Sequence, residues 1–74
     1  MLRGMAEIIF LVEPDPDGGL VARALGHAIF TQAETEDELR EMVREAVRCH
    51  FDDDEPDRPR VIRLHFVRDE VIAA

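Results

Sequence analysis

Residues 7–13 (Glu-Ile-Ile-Phe-Leu-Val-Glu) form a short apolar run, rich in aliphatic and β-branched side chains, between two acids. Such a run predicts a strand. It does not alternate, so both faces are apolar, the pattern of a strand at the centre of a sheet. Pro14, Asp15, Pro16, Asp17, Gly18 and Gly19 follow. Proline presets φ and removes a donor, and glycine accepts positive φ. The segment therefore predicts a turn, with Asp17, Gly18 and Gly19 as its structural residues. A second strand is predicted over residues 20–25, completing a hairpin. Gly26 interrupts the pattern, and a third strand is predicted over residues 27–31. The three make an antiparallel meander.

The period then changes. Thr35, Glu36, Asp37 and Glu38 open a helix: Thr35 caps it, and Glu38 closes a capping box. Acids in the first turn also suit the positive end of the helix dipole. Leu39, Met42, Val43, Ala46 and Val47 recur at three- and four-residue spacing, with Cys49 and His50 at the C-terminal margin of the stripe. That spacing lays one face of the helix on the sheet. Residues 52–59 are acidic and broken by two prolines, which ends the helix. A fourth strand is predicted over residues 61–68. Its Ile62, Leu64 and Phe66 share one face, and Arg63, His65 and Val67 share the other. Residues 69–74 are read as a short tail whose Val71 and Ile72 add a little pairing or dock on a neighbour. Residues 1–5 are read as a disordered end, with Met5 as an alternative start.

The predicted fold is α+β, in the order βββαβ, as a single domain spanning residues 1–74. A helical crossover returns the last strand parallel to the first, at the free edge beside it. The sheet is then four-stranded and mixed, in the order 3-2-1-4, with one helix on one face. One helix covers only half of a strand that is apolar on both sides. The opposite face needs cover, and a second copy of the chain is the economical candidate.

Size sharpens that expectation. A 74-residue chain buries only about 60% of the surface its unfolded form exposes. Chains this small usually add disulfides, a metal or a partner subunit. A single cysteine excludes an internal disulfide. No apolar run reaches the ~20 residues of a membrane span, and no signal peptide is visible, so a cytoplasmic protein with no membrane partner is expected. Nine arginines and no lysines stand against 17 acids, for a net charge of −8. Phosphate backbones repel such a surface, which argues against direct nucleic-acid binding. A basic protein partner fits better. Asp52, Asp53, Asp54 and Glu55 are candidates for steering it. Arg23, Arg63 and His65, on strands of mixed polarity, are candidates for the interface itself.

Constellations with chemical potential fall short of a complete site. Glu13, Asp15, Asp17 and Gly18 match the first half of a calcium loop, but the twelfth position is Ala24 and a strand follows. Cys49 and His50, with Asp52–Asp54 and either His27 or His65, offer metal ligands without the cysteine pairs usual in structural zinc. Adjacent helical residues point about 100° apart, which does not suit a Cys49–His50 nucleophile and base. No catalytic residue, metal site or cofactor is therefore expected.

Three segments together carry a family resemblance: Asp17-Gly18-Gly19-Leu20, Ala24-Leu25-Gly26-His27, and Thr35-Glu36-Asp37-Glu38-Leu39 with Ala46 on the helix. In their order and spacing they resemble the antitoxin-like HicB family, although Leu20 stands where an aromatic residue is common. The resemblance runs from Glu7 to about Arg68. It implies a partial RNase H-like sheet with one helix. It also implies a non-catalytic role, masking a small basic RNA-cleaving toxin of the HicA type. Full-length members usually add a C-terminal DNA-binding module. This chain is similar to the short stand-alone members that lack it. An orphan homo-oligomer, dimeric or larger and without a toxin, is the alternative. RNase H enzymes carry a metal-binding acid on the first strand; Ile8 to Val12 hold none.

Overall fold

A computed structural model describes residues 6–74; the expectation for residues 1–5 lies outside them. Four strands and one helix follow in the order β1 (Glu7–Pro14), β2 (Leu20–Ala24), β3 (Phe30–Ala33), α1 (Glu36–His50) and β4 (Val61–Phe66). The sheet order is β3-β2-β1-β4. β1 pairs antiparallel with β2 and parallel with β4, and β2 pairs antiparallel with β3. The predicted α+β class, strand order and mixed sheet are all present.

The core lies between the sheet and α1. Ile8, Phe10 and Val12 of β1 are buried, as are Ala22 and Ala24 of β2 and Leu39, Val43 and Val47 of α1. Phe10 has no exposed surface. Full burial of side chains of this size contributes about 1.5–3 kcal/mol each. The helix sits closest to β3 and β2. The small Ala22, Ala24 and Ala33 of those strands let it approach, and Phe10 fills the centre.

Four local features differ from the sequence expectation. The third strand runs from Phe30 to Ala33 instead of over 27–31. Gly26 takes φ +85°, the Ile29 N–H bonds the His27 carbonyl, and the Ala24 N–H bonds the Ile29 carbonyl. Residues 25–29 thus close a loop that plants Ile29 in the core before the strand begins. The fourth strand stops at Phe66. Beyond the Val67 N–H, which bonds the Val12 carbonyl, the chain has no regular element. Val71 and Ile72 pair with nothing among the described residues and are 95% and 76% exposed. The helix stripe ends on Phe51, 7% exposed, and not on Cys49 and His50, which face solvent. Leu39, Val43, Val47 and Phe51 make an unbroken four-residue period, and the Phe51 N–H bonds the Val47 carbonyl as the C-cap.

The fourth difference lies in the caps. Thr35 Oγ1 accepts from the Glu38 N–H at 3.2 Å, as the box requires. Glu38 Oε1 accepts from the Glu34 N–H at 3.0 Å, one residue before the cap. In the hairpin turn, Asp15 organises the backbone where Asp17 was expected to. Its Oδ1 accepts from the Asp17 N–H, its Oδ2 accepts from Gln32 Nε2, and its carbonyl accepts from the Gly18 N–H. Gly18 and Gly19 do take the positive φ expected of them.

Two stability predictions follow from this packing. Gly18 and Gly19 both have positive φ, but a Cβ on Gly19 would come within 2.5 Å of the Ala33 carbonyl oxygen, whereas one on Gly18 meets nothing. Positive φ alone costs a residue with a side chain about 1–2 kcal/mol. In urea denaturation, Gly19→Ala should therefore lose at least about 1 kcal/mol more than Gly18→Ala, a margin consistent with enforced backbone displacement. Equal losses would show that β3 yields freely. Among the described residues, the Thr31 hydroxyl is buried without a partner. Leaving such a group unsatisfied costs about 1–3 kcal/mol. Thr31→Val should raise stability by about 1 kcal/mol on the same scale; a loss would mean that the hydroxyl is bonded in solution.

Candidate functional site

Side chains alternate across a sheet, so the residues that pass over the core from β1 leave Ile9, Leu11 and Glu13 on the face opposite α1. The register adds their neighbours. Leu11 lies beside Arg23 of β2 and His65 of β4, and Arg23 in turn faces Phe30 of β3. Ile9 lies beside Arg63, and Glu13 beside Val21. Ile9, Leu11 and Val21 are half-buried, and Phe30 is 61% exposed. An apolar strip thus lies on this face, with Arg23 set between Leu11 and Phe30 and with Arg63 and His65 on its β4 side.

Those cations are partly answered within the face. Arg23 pairs with Glu13 at 3.7 Å across β1 and β2. Arg63 Nε donates to Glu7 Oε1 across β4 and β1. Exposed pairs of this kind contribute little to stability, but they hold the two guanidinium groups on either side of β1. The structure therefore brings Arg23, Arg63 and His65 onto one surface.

Asp52–Glu55 belong to a different segment, the connection from α1 to β4. There the Asp52 N–H donates to Glu55 Oε1 at 3.3 Å, the Glu55 N–H donates to the Asp52 carbonyl, and Arg58 lies 3.6 Å from Asp53. The loop is folded on itself by its own acids. Its carboxylates remain exposed, available for long-range attraction but not placed in the apolar strip.

The metal candidates separate. Among the described residues, no three His, Cys, Asp or Glu side chains are grouped to hold an ion. Glu13 of the half-calcium loop turns to Arg23, and Asp15 gives one carboxylate oxygen to the turn and the other to Gln32 of β3. His65 is on the face away from the helix. His27 and His50 do meet, with ring centroids 6.0 Å apart, and each stacks edge-on against Phe51 at 5.2 and 4.9 Å. Phe51 seals the core end of this cluster. Its position four residues after Val47 was the available signal.

Two grooves had no sequence signal, because each joins residues distant in the chain. One, of about 470 Å³, lies between α1 and β4, with Arg40, Arg44 and Arg60 around Val43, Ile62 and Leu64. Arg40 is already paired with Glu36 and Asp37, and Arg44 with Glu41. The other, of about 460 Å³, runs along the β3 edge under α1, lined by Phe30, Thr31, Gln32, Met42, Glu45, Ala46 and Cys49.

No helix among the described residues is long and apolar enough to cross a membrane. No protein-family model matches the chain, and no solved structure matches it. Two relatives are similar over most of its length. A UPF0150 protein of Archaeoglobus fulgidus is 57% identical over 54 residues, covering 73% of this chain and 77% of the relative. A UPF0150 protein of Thermotoga maritima is 40% identical over 67 residues, covering 90% and 91%. The names of these relatives state no activity, substrate or partner. At these identities and coverages, the chain belongs to the UPF0150 family.

Proposed function

We propose that the domain is a non-catalytic protein-binding module, an antitoxin of the HicB type that docks a small basic toxin on its uncovered sheet face. The observation that carries this reading is the strip of Ile9, Leu11, Val21 and Phe30 on a sheet with a helix on one side only. An apolar patch within a charged rim is the usual form of a docking surface. Arg23, Arg63 and His65 supply the polar rim. The net charge of −8 and the exposed acids Asp52–Glu55 favour encounter with a basic partner and disfavour nucleic acid. The HicB likeness of the turn, the Leu25-Gly26 break and the Thr35–Glu38 cap names the partner class.

A second reading is a homo-oligomer without a toxin. It is favoured by Val71 and Ile72, two exposed aliphatic side chains outside every element of their own chain.

A tagged pull-down from the native host separates the two. The antitoxin reading expects a small basic chain at fixed ratio; recovery of this chain alone would overturn it. Leu11→Arg should lower affinity for the captured partner by at least about 100-fold, as expected when a charge is buried without a counterion. His65→Glu, exposed in the same row, checks the face if Leu11→Arg does not fold. Replacing Asp52–Glu55 with serine should slow association at low salt several-fold and leave dissociation unchanged. Equal association rates would remove the steering role.

A further inference from the structure

We propose that segment 67–74 of one copy adds as a strand to the β3 edge of a second copy, and that the exchange is reciprocal. The inference rests on the homo-oligomer reading and gives it a specific joint. β3 and β4 are the two edges of the sheet. Free edges invite another strand unless charge or proline guards them. β4 carries Arg63, with Pro59 and Arg60 before it and Arg68 after it. β3 reads Phe-Thr-Gln-Ala and has no charge at all. The unguarded edge is therefore β3.

Its surroundings match the tail. A groove follows this edge, and Phe30 and Met42 on its walls are 61% and 40% exposed. Phe30 belongs to the open side of the sheet, and Met42 to the helix side. Val71 and Ile72 are adjacent, so in a strand they point to opposite sides. Laid along β3, one meets Phe30 and the other enters between Met42 and Ala46. A single added strand thus covers four of the six exposed large apolar side chains among the described residues.

The chain's own tail does not fit its own edge. From the end of β4 it would first cross β1, β2 and β3, about 19 Å at the usual strand spacing. That distance consumes residues 67–72 at about 3.3–3.6 Å each, and leaves neither Val71 nor Ile72 to lie along the edge. A two-fold axis removes the difficulty: each tail extends straight to the other copy, and the assembly closes at two.

The test is sedimentation equilibrium on the full chain across a concentration series. The wild type should sediment at twice the 8.5 kDa chain mass. The pair Val71→Asp and Ile72→Asp, at exposed positions outside the core, should leave the far-UV circular dichroism of the folded chain unchanged and weaken the dimer by at least about 100-fold. Met42→Glu, on the receiving side, should weaken it comparably. A monomeric wild type would overturn both the exchange and the homo-oligomer reading. A dimer that survives the tail pair would keep the homo-oligomer and overturn the exchange. A dimer sensitive to the tail pair but not to Met42→Glu would place the tail elsewhere and overturn the β3 joint.

Discussion

Phe10 sits at the middle of β1, fully buried, with Ala24 of β2 on one side and Leu64 of β4 on the other. The rest of the structure is arranged around this strand. It is the only one of the four with antiparallel pairing on one side and parallel pairing on the other. Its Ile8, Phe10 and Val12 supply the sheet's largest contribution to the core under α1. Its alternate residues Ile9 and Leu11 create the apolar strip on the far side. The same alternation that builds the core therefore creates the surface that the core cannot cover.

That asymmetry sets the tolerance of each side to change. Ala22, Ala24 and Ala33 are small because the helix must come close; larger residues there would push α1 away and open the core. The outer face has no such limit, and carries arginines, a histidine and a phenylalanine in neighbouring positions. Much of the charge on α1 is settled locally, in the pairs Arg40 with Glu36 and Asp37, Arg44 with Glu41, and Arg48 with Glu45. The helix thus sets three arginines against its five acids, and offsets its charge more closely than the turn and the loop after α1, where acidic excess is concentrated.

Much of this was legible in the residues. The two-sided apolar run placed β1 at the centre, and from that the strand order followed. Thr35 and Glu38 marked the helix start because side-chain capping is a local event. The misplaced third strand and the overlooked Phe51 share a cause. Both depend on which apolar residue the core has room for, and period alone does not say. Ile29 looks like a strand residue but plugs the core from a loop; Phe51 looks like the first loop residue but is the last of the stripe. The outer face was readable as a pattern of Arg23, Arg63 and His65. The grooves were not, since they join α1 to β3 or β4 across long stretches of chain, and no local signal encodes such a meeting.

The parallel pairing of β1 with β4 joins Ile8 to Ile62 and Phe10 to Leu64, so the central strand is completed by the last one made. Contacts of such long sequence separation carry a loop-closure cost before they contribute stability, and they slow folding relative to helical domains of equal size. During synthesis the hairpin and α1 emerge first, while one edge of β1 waits without its neighbour. The nascent domain therefore passes through a stage in which its most apolar strand is an open template. Rapid appearance of β4, not extra strength in the hairpin, is what keeps that stage short.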